Sequence, residues 1–242
     1  MSARGYKEPL ERLRRFYKTV DVEPAEGGFA VRLDGRSPRS PAGKALVPPT
    51  RALADLIAGE WAAQGEHILM ATMPATRLAY TAIDRIGEHR GETAAEVARY
   101  AAADLLCYYA AEPVVLVERQ ARLWGPLLEW AQAELGIALH AVEGIIHQPQ
   151  PHLSLVRARE YAETLDDFSL AALAHATGLF GSAVLALALQ RGRLSGQEAF
   201  ALSRLDEAFQ EEFWGVDAEA AERTERLSME AGMLERWFAA LR

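Results

Sequence analysis

The spacing of apolar residues changes once along the chain, at Pro48-Pro49-Thr50, and this change limits the fold more than any other feature. Before it, apolar and polar residues alternate with a period of two, as in half-buried strands. Phe16–Glu23 mixes β-branched and aromatic residues with polar ones. Glu26-Gly27-Gly28 reads as a turn, and Phe29, Val31 and Leu33 then alternate with Ala30 and Arg32. Asp34-Gly35 is a tight-turn dipeptide, and Lys44–Val47 is predicted as one more short strand. Together these segments describe an antiparallel β unit over about residues 16–48.

After the junction the period is helical. Thr50 is placed to cap a helix running through Gln64, with Leu53, Leu56, Ile57 and Trp61 on one face. Further helices are predicted over Thr76–Glu88, Thr93–Leu106, Pro113–Leu135, Leu153–Thr164, Ser169–Thr177, Ser182–Gln190, Ser195–Phe213 and Asp217–Leu241. Leu179–Leu189 (LFGSAVLALAL) is apolar on every face, the pattern of a helix at the centre of a core. The expected fold class is therefore α+β. A small antiparallel β-rich N-terminal unit (1–49) precedes a larger all-α helical domain (50–242).

Charge follows the same division. Residues 1–51 carry 11 basic and six acidic side chains, whereas the whole chain has net charge -8. An acidic total disfavours a general nucleic-acid binder. The apolar share of 50% argues against disorder. No stretch reaches the ~18 apolar residues of a membrane span, so no membrane insertion is expected. The opening MSARGYKEPLERLRR lacks an apolar signal core, which favours a bacterial cytoplasm, or a mitochondrial matrix for a eukaryotic source. The lone Cys107 allows no internal disulfide.

Motifs for catalysis fail on spacing. Gly43-Lys44 resembles a phosphate loop, but Pro38 and Ala45 occupy the positions of the required glycine and hydroxyl. His147 and His152 are five apart, off one helical face, and the other histidines are isolated. Cys107 in DLLCYYA reads as a buried small hydrophobe whose pKa Asp104 would raise. Ser182 follows Gly181 but lacks the second glycine of a nucleophile elbow, since Val184 stands there. The densest acidic cluster is Asp206, Glu207, Glu211 and Glu212 in LDEAFQEEFWG. On pattern alone it is a solvated helix face, with a binding role as the sharper alternative. Trp61, Tyr108-Tyr109, Trp124, Trp130 and Phe213-Trp214 read as core at helical spacing, although tryptophan is also common in interfaces.

Taken in order, RFYKTVDVEPAEGGFAVRLDGRSPRSPAGKALVPPT, EWAAQGEHILMATMPATRLAYTAIDR, DLLCYYAAEP, RQARLWGPLLEWA and GSAVLALALQRGRLSGQEAFALSRLDEAFQEEFWGVDAEA resemble the ATP12 family of F1-ATPase assembly chaperones. The likeness covers about residues 15–225. One departure is Ala71, where the family pattern leads us to expect proline. The resemblance implies a β-rich N-terminal part and a helical C-terminal part. It also implies a chaperone rather than an enzyme, without cofactor or metal, that binds the free F1 α subunit before it meets β. Such a protein holds its client by mass action, covering apolar surface that would otherwise aggregate. The family's most distinctive stretch is SRLDEAFQEEFWG. It implies a partner-binding surface led by Glu207, with Asp206, Glu211, Phe213 and Trp214 beside it. Trp61, Trp124 and Gly215 are assigned structural roles, and Trp61→Arg is expected to unfold the chain. A monomer is expected, because the partner is a different subunit. Two other readings stay open: a carboxylate-using hydrolase, with acids converging in a deep pocket, and a non-catalytic scaffold for another partner.

Overall fold

The computed structural model describes residues 13–144, 146–215 and 218–242, the side chains of Trp214, Ala218 and Glu219 excepted. Strands β1 (Val20–Ala25) and β2 (Gly28–Leu33) form an antiparallel hairpin with Val22 opposite Val31. Asp34 and Gly35 take φ of 48° and 78°, the two positive values a tight Asp-Gly turn requires. Leu33 and Arg36 exchange backbone hydrogen bonds of 2.8 and 3.0 Å across that turn. The Asp34 carboxylate accepts from the Thr19 and Lys18 amides, and these bonds hold its carboxyl below the usual range.

The strand expected at Lys44–Val47 does not form. This segment lies along β2 and accepts from it, through Val31 N to Leu46 O at 3.3 Å and Phe29 N to Pro48 O at 2.9 Å. Lys44 N donates instead to Ser40 Oγ and Leu46 N to Pro38 O, so these amides do not return to β2, and the segment keeps one isolated bridge, Arg39 with Ala45. The approach is close: a Cβ on Gly28 would stand 2.1 Å from the Pro48 carbonyl oxygen.

Helix α1 (Arg51–Ala62) starts where expected, with the Thr50 hydroxyl accepting from Leu53 N at 3.2 Å. Its buried Leu53, Ala54, Ile57 and Trp61 pack under both strands. The two helices predicted over Thr76–Glu88 and Thr93–Leu106 are present and meet at a kink. Helix α2 (Pro74–Thr81) passes through a π-turn (Ala82–Ile86) into α3 (Gly87–Ala102). The expected break falls at His89, whose backbone is non-helical (φ -118°, ψ 22°).

The short parallel pair β3 (Tyr108–Tyr109) and β4 (Val142–Glu143) flanks α4 (Val114–Leu135). Next come α5 (His152–Thr164), α6 (Asp167–Phe180) and α7 (Ala183–Gln190). Ser182 caps α7, its hydroxyl accepting from Leu185 N at 3.0 Å. The helix predicted over Ser195–Phe213 is two helices, α8 (Gly196–Ser203) and α9 (Leu205–Trp214), divided at Arg204 (φ -115°). At this break the Leu202 carbonyl accepts from Trp124 Nε1 at 3.1 Å. A tertiary bond thus occupies a carbonyl that an unbroken helix would use for its own ladder. Helix α10 (Ala218–Leu241) closes the fold, and α8 can approach it because a Cβ on Gly196 would lie 2.3 Å from the Ala231 carbonyl oxygen.

The core is continuous from Tyr17, Val31 and Leu46 in the N-terminal part to Trp237 in α10. At its centre Ala183–Leu189 are all buried. Buried Asp104 ties α7 to the end of α3, accepting from Ser182 Oγ (2.7 Å), Val184 N (3.1 Å) and Leu106 N (3.1 Å). Complete burial pushes its carboxyl up to about 6 against these donors. Cys107 is a buried thiol raised to about 12, by burial first and then by Asp104, so it is no nucleophile. Among the described residues no helix is long and apolar enough to cross a membrane.

Candidate acidic interaction surface

Helix α9 carries the predicted binding residues and packs on α4. Its inward face is anchored by Leu205 and Phe209, both buried. Around that face the acids of LDEAFQEEFWG have separate fates. Asp206 is half-buried and accepts from Gln120 Nε2 at 2.7 Å. Partial burial raises its pKa, Gln120 opposes the rise and the neighbouring Glu207 adds to it. Glu212 takes a two-pronged contact from Arg119, at 2.6 and 3.2 Å, which lowers its pKa. Glu211 pairs with Arg204 at 2.7 Å across the break before α9. Glu207 is exposed and, among the described residues, has neither an ion pair nor a side-chain hydrogen bond. The cluster is therefore three internally matched acids and one unmatched.

Apolar groups flank this charge. The Arg119 guanidinium lies 5.2 Å from the centre of the Phe209 ring, and Phe209 meets Phe213 at 5.1 Å between ring centres. Phe213 is 67% exposed. Gln120 and Arg119 of α4 reach Asp206 and Glu212 of α9, while Trp124 reaches Leu202 at the end of α8. Val114 and Val115, at the start of α4, are exposed. Trp214 ends the helix, but its side chain lies outside the described residues. Gly215 stops α9 with φ 80° and donates to the Glu211 carbonyl at 3.0 Å.

The acids do not form a reactive pocket. Glu211 borders a cleft of about 390 Å³ with Glu225 from α10, and Asp206, Glu207 and Glu212 do not line it. Among the described residues no group of three or more His, Cys, Asp or Glu side chains is placed to hold a metal.

The other predicted residues lie away from α9 or beneath it. Trp61 is buried against Tyr17, whose ring sits 5.8 Å away and whose hydroxyl donates to the Trp61 carbonyl at 2.7 Å. Trp124 is buried beside Tyr109 at 5.9 Å. Sequence reasoning missed Gln120, Arg119 and Arg204. Gln120 is buried and joins Ala110 N (2.8 Å) to Asp206. The signal was there: Leu116, Gln120 and Trp124 step by four on one face, with a polar residue between two apolar ones.

Comparisons with known proteins agree with the fold and the order of its segments. The family described as "ATP12 chaperone protein" matches residues 14–132. The mitochondrial protein atp12 of Schizosaccharomyces pombe is 29% identical over 227 residues, spanning 88% of this chain and 78% of the relative. The crystal structure of Atp12 from Paracoccus denitrificans is 41% identical with TM-score 0.88, covering 95% of this chain and 99% of that one. A candidate chaperone from Agrobacterium tumefaciens is 42% identical with TM-score 0.89, covering 95% of this chain and 86% of that one. The chain belongs to the ATP12 chaperone family, a family of ATP synthase assembly factors, and is a chaperone rather than an enzyme.

Proposed function

We propose that the chain binds the free α subunit of F1-ATPase, prevents its aggregation and hands it on for assembly with the β subunit. The observation that carries this reading is Glu207, an exposed acid left unmatched among the described residues while its neighbours are paired within the chain. An unmatched carboxylate on a rigid helix costs little to bring to a partner, because no internal bond must break first. It suits a basic or amide group on the client. Exposed Phe213 supplies apolar contact next to it. Asp206 and Glu211 fix the helix surface through Gln120 and Arg204 and remain at its rim. Trp214 joins the surface on sequence grounds. The contact belongs to the 50–242 unit, and the 1–49 unit serves it by bracing α1. The protein acts as a monomer, in the cytoplasm of a bacterium or in the mitochondrial matrix of a eukaryote.

The test is refolding of isolated F1 α subunit, followed by light scattering without nucleotide. The reading predicts suppressed aggregation and a one-to-one complex on size exclusion. Unchanged scattering with folded chaperone present would remove the α subunit as the client.

A further inference from the structure

Gln120 is the one polar residue among the buried side chains of α4, which are otherwise Leu116, Trp124, Leu127 and Ala131. Packing alone would favour leucine there, because a buried amide destabilises unless its polar atoms are bonded. Both ends of this amide are bonded, and their order is fixed. Ala110 N lies 2.8 Å away and can only donate, so Gln120 Oε1 must face it. Nε2 is thereby turned to Asp206 Oδ1 at 2.7 Å. The Ala110 end is itself held in place. Ala110 follows β3, where the Tyr109 ring lies 5.9 Å from Trp124 and the Tyr109 carbonyl accepts from Gly144 N at 2.7 Å.

The two oxygens of Asp206 differ in their surroundings. Oδ1 accepts from Gln120, whereas Oδ2 has no partner among the described residues and is not sealed from solvent. An N–H group bonds more strongly to an ionised acceptor than to a neutral one. Partial burial pushes the Asp206 carboxyl up, Gln120 opposes this, and Glu207 adds to the rise. The arginines that reach α9 are engaged elsewhere, Arg119 with Glu212 and Arg204 with Glu211. From α10, Glu225 shares a cleft with Glu211 that Asp206 does not line. Gln120 is therefore the group that favours a charged Asp206.

We propose that Gln120 is a positioning residue of the client surface: its buried amide, oriented by Ala110 N, holds Asp206 as a carboxylate with Oδ1 turned inward and Oδ2 presented to a cationic donor on the client. The identity of the client rests on the function proposed above, whereas the state of Asp206 does not. What the site requires is the polarity of the amide, in addition to its volume.

The experiment has two arms. In the first, the Asp206 carboxyl is titrated in the free, full chain by carbon-13 NMR, its resonance assigned with Asp206→Asn. Gln120→Met keeps the volume and removes the donor. It should raise the Asp206 midpoint by about one pH unit, the scale of one hydrogen bond to a charged group. An unchanged midpoint in folded Gln120→Met would overturn the assignment. This arm needs no client, so its result is separate from the fate of the α-subunit reading, which the refolding test decides.

The second arm measures affinity for the free F1 α subunit, with each variant first compared by thermal melt. Asp206→Asn keeps an acceptor for Gln120 and removes the charge. It should melt like the parent and lose about fivefold in affinity, the scale of a partly exposed charge pair. Gln120→Glu sets two carboxyls against each other and should lower the melt. Combining it with Asp206→Asn rebuilds the chain of bonds in the reverse sense, the new amide donating to the new carboxylate. The double variant should recover much of the melt and none of the affinity, an outcome that a merely structural role does not give. Parent affinity in Asp206→Asn, or full recovery of affinity in the double variant, would overturn the assignment.

Discussion

Helices α7 and α9 are close in sequence and opposite in logic. In α7 every residue from Ala183 to Leu189 is buried, and the helix has no surface to offer. In α9, among the described side chains, Leu205 and Phe209 are the buried ones, and the others are exposed or partly exposed. The first exists to be packed around, and the second is held in place so that one face stays available. Burial accounts for the stability of α7, and pairing accounts for the order of α9. In the proposed function, the residue that meets the partner is the one that pairing leaves over. The comparison predicts that substitutions in α7 damage folding, whereas substitutions on the outer face of α9 damage binding alone.

The largest expected effect lies in α7. Leu185→Asp places a carboxylate at a fully buried position. Such a charge costs several kcal/mol, a large part of a typical domain's stability of about 5–15 kcal/mol. The variant should show no cooperative melt by circular dichroism. A normal melt would break the contrast at its strong end.

Asp104 gives the next effect and a pH signature. Its carboxyl is raised to about 6 in the folded chain against an ordinary 3.8. The folded state therefore holds the proton more tightly than the unfolded one. This contribution is complete below the ordinary value and is lost as pH rises through 6, by up to about 3 kcal/mol. Asp104→Asn cannot titrate there. The stability advantage of the parent over this variant, from urea melts, should be greatest near pH 4 and shrink toward pH 7. A gap that is constant across this range would contradict the assigned shift.

The smallest stability effect belongs to α9. Arg204→Gln removes the partner of Glu211 at a partly exposed pair. It should cost no more than ~1 kcal/mol and leave the melt cooperative.

How much of this could be read beforehand follows from the same contrast. The apolar run 179–189 announced α7, because full burial writes itself into composition. The Asp34-Gly35 turn and the Thr50 cap were also legible, since each depends on neighbours in sequence. The Arg204 break was not, because it coincides with a long-range bond from Trp124 to Leu202, 78 residues away. The missing strand at 44–47 goes with amides committed elsewhere, Lys44 N to Ser40 and Leu46 N to Pro38. At the candidate surface, the sequence marked the acidic cluster without ranking its members. The ranking depends on Gln120, Arg119 and Arg204, and their distances to α9 are tertiary facts.

The most direct measurement is the affinity of the free F1 α subunit for the parent chain, Glu207→Lys and Glu211→Lys, each first matched in thermal melt. The account predicts that Glu207→Lys melts within about 0.5 kcal/mol of the parent, as exposed substitutions do. It should nevertheless lose at least tenfold in affinity, while Glu211→Lys loses less. A folded Glu207→Lys that binds and protects the α subunit as well as the parent does would contradict the central claim.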